Sequence, residues 1–335
     1  MSEVVLSLDE LRSLAMAVLV AHDTSEANAA CVADALVAAE ADGQKGHGMS
    51  RVPSYAAQAA SGKVDGRAIP EAEEVSAAAV RVDAKEGFAF PALALAIDRV
   101  ADLAAKAGAA VAAVHRSHHF GQAGYHVERL AGRGLVGLVF GNSPKAIAPW
   151  GGREGVFGTN PIAFAAPRRE GAPLLIDLSL SKVARGKVMV AAKRGEPIPE
   201  GWALDADGRP TTDAAAAMAG TMLPMGDAKG AALVMMVEIL AAALTGANFG
   251  FEASSFFDAE GPAPGVGQTL LAIDPERLSG GSFGDRLETL LGAVLAQPGT
   301  RLPGARRLEL RAKARADGVA VPEPLVDELR GLAAV

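Results

Sequence analysis

The sequence contains very little cysteine, since Cys31 is the only one among 335 residues. A disulfide within the chain is therefore impossible, and this usage fits a reducing compartment. Long apolar runs are also lacking: the longest, Ala231–Leu244, contains Glu238 and is too short to span a bilayer. The first residues include Glu3 and Asp9 and no basic segment before an apolar one, so a signal peptide is not expected. These absences predict a cytoplasmic protein that has no membrane partner.

Several motifs of well-known enzyme classes are missing. There is no G-x-x-x-x-G-K-[ST] phosphate loop and no G-x-S-x-G nucleophile elbow. No G-x-G-x-x-G follows a predicted strand, and the nearest glycine cluster, GGREGVFG at 151–158, has the wrong spacing for a Rossmann turn. Cysteine ligands are lacking and His118 and His119 are adjacent, so we expect no metal site.

The composition is that of a globular protein. Half of the residues are hydrophobic and 21% are charged, which is the opposite of the balance found in disordered chains. A length of 335 residues allows one large domain or two of ordinary size. The formal net charge is −7 and there is no long basic run, which argues against a nucleic-acid partner because phosphates require a positive face.

Helical periodicity dominates the first third of the chain. Ser7 to Glu10 form a capping-box pattern, and the apolar residues that follow at three- and four-residue steps predict a helix to about Val20. Further helices are predicted from 23–26 to Gly43, from 51 to 62, over 92–107 and over 123–133.

Short apolar runs bounded by Gly, Pro, Asn and Arg begin at residue 109. They predict buried strands at 109–115, 134–140, 161–167, 173–179 and 269–274, with helices at 229–244 and 283–296. The turn-rich blocks 197–212 and 261–267 are predicted loops. The chain is therefore of the mixed α/β class, and we expect a helical lobe and a sheet lobe with a ligand in the cleft between them.

The segment GHG at 46–48 places a histidine between two glycines, with an arginine four residues after it. Arg51 could bind a carboxylate bidentately, and His47 could give or take a proton near neutral pH. If the segment turns into a helix, the two side chains share one face. In the alternative interpretation His47 caps the carbonyls of the preceding helix and Arg51 is solvated.

Polar residues also follow the predicted strands. The loop HRSHHFGQAGYH at 115–126 opens a helix, whose N-terminal amide groups suit a pyrophosphate; a plain surface loop is the alternative. Asn142, Ser143, Thr159 and Asn160 interrupt apolar strands, so they either tie loops together or contact a ligand. The segment 177–179 ends the next strand in the same way.

Two lysines are weaker candidates for a ligand site. Lys229 precedes an apolar helix, where a cation opposes the helix dipole unless it has an anionic partner. Lys187 lies in a basic segment further upstream. For both residues the alternative is a solvated side chain.

The collinear motifs resemble the malate/L-lactate dehydrogenase type 2 family nearly end to end. The resemblance rests on GHGMSRVPSY (46–55), SHHFGQAGYHVERLAGRGLVGLVFGNSPKAIAPWGGREGVFGTNPIAFAAP (117–167), SKVARGKV (181–188), EGWALDADGRPTT (200–212) and ALVMMVEILAAALTG (232–246). Within this family, which includes sulfolactate dehydrogenases, the segments at 60–70, 80–96 and 244–252 are more similar to the Δ1-piperideine-2-carboxylate/Δ1-pyrroline-2-carboxylate reductases.

The resemblance implies a nicotinamide-binding sheet domain that is not of the Rossmann type, and a homodimer whose site lies at a domain cleft. It places the cofactor-binding domain at 126–289 and a substrate and dimerisation domain at 1–125 with 290–335. The implied cofactor is NADPH, with NADH possible, and the implied partner is a small carboxylated substrate.

The resemblance also assigns roles to individual residues. It makes His47 the catalytic proton donor, acting alone, through a water or beside Lys187, and it places the substrate against Arg51 and Thr159. The cofactor contacts that it implies are His119, Phe120, Gly121, Asn142, Ser143, Asp177, Leu178, Ser179, Lys229 and Arg306.

Two positions depart from the family pattern. Gly46 stands where the family usually has serine, and Lys187 stands where the imine reductases have an aspartate. A serine–histidine–aspartate relay is therefore unavailable. The sequence predicts an NAD(P)H-dependent reductase that converts a cyclic imine 2-carboxylate to L-proline or L-pipecolate. The alternatives are an NAD(P)-dependent dehydrogenase of a 2-hydroxy acid such as malate, lactate, sulfolactate or ureidoglycolate, and an inactive member of the family that only binds ligands.

Overall fold

The computed structural model describes residues 2–334. Within this range the chain forms twelve strands: β1 (Glu3–Leu6), β2 (Glu71–Ser76), β3 (Ala79–Asp83), β4 (Ala109–Ser117), β5 (Val136–Gly141), β6 (Ile162–Ala166), β7 (Leu174–Leu178), β8 (Ala203–Leu204), β9 (Pro210–Thr211), β10 (Thr221–Met222), β11 (Val266–Ile273) and β12 (Val319–Pro322).

The same range contains twelve α-helices: α1 (Leu8–Ala21), α2 (Glu26–Ala41), α3 (Val52–Ala60), α4 (Ala89–Ala107), α5 (Ala123–Ala131), α6 (Arg185–Arg194), α7 (Ala214–Ala219), α8 (Asp227–Glu238), α9 (Pro275–Ser279), α10 (Phe283–Leu295), α11 (Ala305–Asp317) and α12 (Glu323–Ala333). Two 3₁₀ turns, Lys45–His47 and Met49–Arg51, join α2 to α3, and α8 continues into a π-helical turn at Ile239–Ala243.

Seven strands form the main sheet in the order β2-β3-β4-β11-β5-β6-β7. Only the β3–β4 pair is parallel, and every other neighbouring pair of this sheet is antiparallel. A Rossmann sheet is mostly parallel. The predicted mixed α/β class is therefore confirmed, and the sheet is not of the Rossmann type.

Two smaller sheets complete the fold. Strands β1 and β12 pair antiparallel and join the two ends of the chain, while β10, β8 and β9 form a three-stranded sheet. Helix α1 begins with the predicted capping box, because Ser7 Oγ accepts from the Glu10 amide at 3.2 Å and Glu10 Oε2 accepts from the Ser7 amide at 2.8 Å.

The apolar residues separate into distinct cores. One core lies between the main sheet and helices α4 and α5, and includes Leu93, Ile97 and Leu130. A second joins α1, α2, α3 and α12 and includes Leu11 and Tyr55. Both follow from the helical spacing of apolar residues, which gives each helix one buried face.

The N-terminal third is not purely helical, contrary to the prediction. The hairpin of β2 and β3 was missed because all six residues of Glu71–Ser76 are exposed, so the strand carries no apolar alternation. The block 197–212 also contains β8 and β9, which are only two residues long each. Strands this short leave no periodic signal in the sequence.

The main sheet contains strands from both sides of the predicted domain boundary at residue 125, since β2, β3 and β4 precede it and β5, β6, β7 and β11 follow it. The division into two domains stays a prediction. No helix within residues 2–334 combines the length and the apolar character that crossing a membrane requires.

Candidate active site

The predicted site residues that follow strands gather at one edge of the main sheet. Phe140 pairs with Ile162, which pairs with Leu178, and Gln268 pairs with Gly141. The carboxyl ends of β4, β5 and β7 therefore meet the amino ends of β6 and β11. The residues brought to this edge are 117–121, 142–143, 159–160 and 177–179.

The bare turn at 46–48 approaches helix α2 very closely at its second glycine. A Cβ on Gly48 would lie 2.1 Å from Glu40 Oε2 and 3.1 Å from Glu40 Cα. That carboxylate accepts a hydrogen bond from the Met49 amide at 2.9 Å, which fixes the turn against α2. Gly46 has no such constraint, because a Cβ there would meet nothing within 4 Å. Among residues 2–334 the side chain of His47 makes no hydrogen bond to a carbonyl of α2, so it does not cap that helix.

Arg51 is held on two sides and leaves one side available. Its Nε donates to the Gly46 carbonyl at 2.8 Å, and its Cζ lies 4.4 Å from the centre of the Phe257 ring. Its Nη1 is buried without a hydrogen-bond partner among the described residues. Buried polar groups are normally paired. The free edge of this guanidinium therefore points to a ligand, and the alternative of a solvated arginine does not apply.

The imidazole of His47 is half-buried and stacks on His119, with ring centroids 5.3 Å apart and an angle of 14° between the planes. Burial, together with the positive charge of Arg51, lowers the pKa of His47 to about 4. The ring is therefore neutral at pH 7. Its Nδ1 is buried and has no partner within residues 2–334, as is the case for Nη1 of Arg51.

Tyr55, one helical turn after Arg51, fixes the orientation of His119. Its hydroxyl lies 2.5 Å from His119 Nδ1. Burial raises the pKa of Tyr55 and lowers that of His119 well below its usual value. Both groups are therefore neutral, and the hydrogen bond between them holds the His119 ring in place.

His118 packs edge-on against the ring of Tyr55, with ring centroids 5.5 Å apart. Its Nε2 lies 2.8 Å from Gln58 Oε1, and burial lowers the pKa of His118 to about 3. Its ring contacts Phe256 edge-on, with centroids 5.3 Å apart. The neutral ring of His119 therefore lies against His47, and the guanidinium of Arg51 is the charge beside these rings.

Phe256 and Phe257 belong to the site, although the sequence reasoning missed them. Phe256 is buried against both His118 and His119, while Phe257 is 56% exposed and lies under the guanidinium of Arg51. A signal was available, since two adjacent aromatic residues stand in a polar segment of a chain that is only 4% aromatic. Tyr55 could also have been found, because it follows Arg51 at helical spacing.

The polar strand-end residues divide into two kinds. Asn142 and Asn160 tie segments together: Asn142 Nδ2 donates to Glu238 and to the Asn248 carbonyl, and Asn160 Nδ2 donates to Glu238. The side chain of Asn142 therefore has no N–H left for a cofactor. Ser143 and Thr159 lie together, with Ser143 Oγ accepting from the Thr159 amide at 3.1 Å.

A pyrophosphate site at the segment around Gly121 stays a prediction. The amide of Gly124, in the first turn of α5, donates to Asp177 Oδ2 at 2.8 Å, so a carboxylate occupies one of the donors of this helix terminus. Burial raises the pKa of Asp177, against the effects of Gly124 and Arg307. Phe120 is buried in the core of the sheet, and Gly121 has φ +69°, which a glycine adopts without strain.

The remaining predicted contacts are less enclosed. Leu178 is half-buried, and Ser179 Oγ lies 2.7 Å from Ser181 Oγ in the turn after β7. The basic residues Lys187, Lys229 and Arg306 are exposed in the first turns of α6, α8 and α11, respectively. The structure shows no hydrogen bond from Lys187 to His47 among the residues it describes.

The donor set at this edge fits a nicotinamide nucleotide and a carboxylate. Hydroxyl groups from Ser143, Thr159 and Ser179 suit the polar groups of a nucleotide, and the free edge of Arg51 suits a carboxylate. Among residues 2–334 there is no group of three or more His, Cys, Asp or Glu side chains that could hold a metal ion. The arrangement can orient a small acid and exchange a proton with it through His47.

Comparison with known proteins places the chain in a family. Residues 6–330 match the family model described as malate/L-lactate dehydrogenase. The chain is 55% identical over 328 residues to (2R)-3-sulfolactate dehydrogenase (NADP(+)) of Chromohalobacter salexigens, covering 98% of each chain. It is 45% identical to Δ1-pyrroline-2-carboxylate/Δ1-piperideine-2-carboxylate reductase of Pseudomonas putida, covering 96% of this chain and 94% of that one.

A solved structure gives the same result for the fold. The crystal structure of Δ1-piperideine-2-carboxylate reductase from Pseudomonas syringae pv. tomato superimposes with a TM-score of 0.93 at 42% identity, covering 98% of this chain and 99% of that chain. The relatives are dehydrogenases and reductases, which supports a nicotinamide cofactor. The chain belongs to the malate/L-lactate dehydrogenase family and is an NAD(P)-dependent oxidoreductase, as its sequence predicted.

Proposed function

We propose that the chain reduces a cyclic imine 2-carboxylate, Δ1-pyrroline-2-carboxylate or Δ1-piperideine-2-carboxylate, to L-proline or L-pipecolate with NADPH. The observation that carries the proposal is the combination of one guanidinium edge without a partner, on Arg51, and a neutral imidazole, on His47, in an aromatic surrounding. The relatives from Pseudomonas putida and Pseudomonas syringae, which are named for this reaction, support it.

Arg51 would hold the substrate carboxylate. Its Nε is already committed to the Gly46 carbonyl, so the Nη1 edge is the part that can donate to an oxygen. The stack on Phe257 fixes the plane of the guanidinium, which reduces the freedom that binding would otherwise have to remove. A charge-assisted contact of this kind orients the C2 carbon of the acid.

The neutral state of His47 suits an imine better than a ketone. A ketone oxygen needs a proton as it becomes an alkoxide, and a ring with a pKa of about 4 holds few protons to give at pH 7. An iminium substrate brings its own proton on nitrogen. His47 then only has to accept a hydrogen bond from that N–H through its free Nδ1.

The wall of the site suits the methylene carbons of a small ring. Phe257, which is 56% exposed, supplies apolar surface with the buried Phe256 behind it, and the cations of Arg51 and Lys63 lie near the imidazole of His118. The ammonium of Lys63 is bound by three backbone carbonyls. A substrate that has one carboxylate and an apolar body therefore matches the available groups.

The nicotinamide supplies the hydride when it is bound, and the chain supplies orientation and charge placement. Ser143, Thr159 and the segment 177–179 are the residues that we propose to hold it, with Lys229 and Arg306 toward its phosphates. The preference for NADPH over NADH is supported by the name of the Chromohalobacter salexigens relative, which specifies NADP(+).

We also propose that the protein is a cytoplasmic homodimer. Support for the second copy comes from the exposed apolar side chains on one face of α8 and its π-helical continuation, namely Met235, Met236, Ile239 and Leu244. The cytoplasmic location is supported by the single cysteine.

A second candidate function is the NADP-dependent oxidation of (2R)-3-sulfolactate or a related 2-hydroxy acid. It is favoured by the 55% identity to the sulfolactate dehydrogenase of Chromohalobacter salexigens. In this direction the neutral ring of His47 would act as a general base on the hydroxyl group. The sulfonate would require a further cationic contact, which the aromatic wall around Arg51 does not provide.

A substrate panel distinguishes the two functions. The purified protein is assayed at pH 7.5 with NADPH and with NADH against both cyclic imines, and with NADP⁺ against (2R)-3-sulfolactate, malate and lactate, following absorbance at the nicotinamide band. We expect turnover of an imine with NADPH, and a kcat/KM at least about tenfold higher than for any hydroxy acid.

Variants at His47 serve as the control for this panel. Replacement by asparagine should lower kcat by about two to four orders of magnitude for a hydroxy acid, where a base is required. The loss should be smaller for an imine that is already protonated. Turnover of sulfolactate without turnover of either imine would reject our proposal in favour of the second candidate.

A further inference from the structure

A buried carboxylate beneath the site has no role in the proposed chemistry. Glu238 ends helix α8, is only 3% exposed and accepts three hydrogen bonds. Its Oε1 accepts from Asn142 Nδ2 at 3.0 Å and from the Gly250 amide at 2.7 Å, and its Oε2 accepts from Asn160 Nδ2 at 2.7 Å. Buried carboxylates are rare, and a fully bonded one organises the groups around it.

The three donors belong to three separate segments of the chain. Asn142 follows β5 and precedes Ser143, while Asn160 precedes β6 and follows Thr159. Gly250 begins the segment that continues to Phe256 and Phe257. Each segment thus carries a proposed contact of the cofactor or the substrate within one to seven residues of its bond to Glu238.

Two local features show that these segments would not hold their positions unaided. Asn160 has φ +40°, a left-handed conformation that costs energy in a residue other than glycine. Gly250 approaches so closely that a Cβ on it would lie 2.8 Å from the Ser143 carbonyl and 2.9 Å from the Gly158 amide. The Glu238 carboxylate bonds directly to both residues, so it stabilises the strained turn and the close approach together.

We propose that Glu238 is a positioning residue, which sets the relative placement of Ser143, Thr159 and the segment of Phe256 through hydrogen bonds to Asn142, Asn160 and Gly250. This role rests on the proposed function only in that these segments line the site. Glu238 does not touch the reacting atoms. Its effect is to keep the three segments in fixed positions relative to one another at the sheet edge.

An exchange of acid and amide between Glu238 and Asn160 tests this role. Glu238→Gln places an N–H where Oε2 accepts now, opposite the amide N–H of Asn160, and Asn160→Asp places two carboxylates face to face. Each single variant should raise the dissociation constant of NADPH, measured by fluorescence titration, by about tenfold. The double variant restores one carboxylate and one amide but not the bond from Asn160 Nδ2 to the Val234 carbonyl, so this constant should fall below that of either single variant.

Steady-state kinetics provide a second readout on the same proteins. We expect the single variants to lower kcat/KM about tenfold to a hundredfold, at temperatures well below their melting transitions. Glu328→Gln, on the exposed face of α12, is the matched control and should change neither quantity. Asn160→Gly, which tolerates the positive φ and deletes the amide with its bonds to Glu238 and the Val234 carbonyl, should raise the NADPH dissociation constant as well.

The outcomes separate this role from a purely structural one. If Glu238→Gln or Asn160→Gly lowers the melting temperature but leaves NADPH binding and kcat/KM within about twofold of the wild-type values, Glu238 only stabilises the fold and the proposal is wrong. If Glu238→Gln does not fold, the Asn160→Gly result decides alone. If the wild type reduces neither imine but the NADPH constants follow the predicted pattern, the proposed function fails and the role of Glu238 stands.

Discussion

At the scale of single residues, the two glycines that flank His47 are glycines for different reasons. Gly48 passes so close to Glu40 that a side chain would push the carboxylate away from the Met49 amide. Gly46 borders open space, and only its carbonyl has a role, as the acceptor for Arg51 Nε. The absence of a side chain is therefore required at position 48 and optional at position 46.

Alanine at each glycine tests this difference. Gly48→Ala should lower the free energy of unfolding by about 1–3 kcal/mol, because the Met49 amide or Glu40 loses its partner in a buried place. It should also lower kcat by displacing His47. Gly46→Ala should change the free energy of unfolding by less than about 0.5 kcal/mol, since it meets no atom. Urea unfolding and steady-state assays measure both quantities, and equal losses for the two variants would contradict our interpretation of the turn.

The sequence could predict the reactive groups of the site but not their neighbours. His47 and Arg51 were found because their residue types and spacing indicate acid–base chemistry and carboxylate binding. The contact between Tyr55 and His119 joins residues 64 positions apart, and the one between Gln58 and Phe256 joins residues 198 positions apart. Such pairs depend on how α3 packs on the rest of the molecule, which no local pattern reveals.

At the scale of elements, α3 and the residues directly after it hold the segment that carries Phe256 and Phe257. Lys63 is 4% exposed, and its Nζ donates to the carbonyls of Ser255, Asp258 and Glu260 at 2.8, 2.8 and 2.9 Å. Gln58 adds a bond from its Nε2 to the Phe256 carbonyl at 2.8 Å. The ammonium group of Lys63 thus makes three of the hydrogen bonds that hold this side of the site.

Lys63→Met should release this segment. The variant removes three partly buried hydrogen bonds from a charged donor, so we expect the free energy of unfolding to fall by about 1–3 kcal/mol. Amide hydrogen exchange over 255–260 should accelerate, and KM for the carboxylated substrate should rise because Phe257 supports Arg51. Lys85→Met, which removes only the exposed pair with Glu71, is the matched control and should cost less than about 1 kcal/mol.

Unchanged exchange over 255–260 in the Lys63 variant would show that contacts other than the ammonium group hold the segment.

Element prediction succeeded where periodicity was strong and failed where it was hidden. The helix predicted over 283–296 is Phe283–Leu295, and the strand predicted at 173–179 is Leu174–Leu178. The helix predicted over 229–244 is helical from Asp227, but its last turn is π-helical. There Thr269 Oγ1 donates to the Leu240 carbonyl at 2.7 Å, so the change of helix type depends on a contact with β11.

At the scale of the whole molecule, burial of several neutral histidines makes stability depend on pH. His126 is fully buried between Phe120 and Phe90, and its Nε2 donates to the Phe120 carbonyl at 2.8 Å. Burial lowers its pKa to about 4, and lowers that of His118 to about 3. These side chains lie in two different parts of the molecule. Protonation of either one therefore favours unfolding of the whole protein and not of one local segment.

Acid should therefore destabilise the protein between about pH 6.5 and pH 4. Over this range His126 takes up a proton in the unfolded chain but not in the folded one, so its contribution is complete above pH 6.5 and is lost as the pH falls through its folded pKa of about 4. A shift of this size corresponds to about 3 kcal/mol for His126 alone. Urea unfolding at pH 7.5, 6.5, 5.5 and 4.5 measures the slope.

His126→Gln isolates this effect from the titration of carboxylates. Glutamine can still donate to the Phe120 carbonyl but does not titrate. The unfolding free energy of the variant should therefore decline less steeply with acid than that of the wild type. The two slopes should differ by about 1 kcal/mol per pH unit between pH 6 and pH 4.5. The variant loses packing at every pH, and the comparison is therefore one of slopes and not of absolute values. If both proteins lose stability in parallel, His126 already accepts a proton in the folded state, and a neutral buried ring is the wrong description of this core.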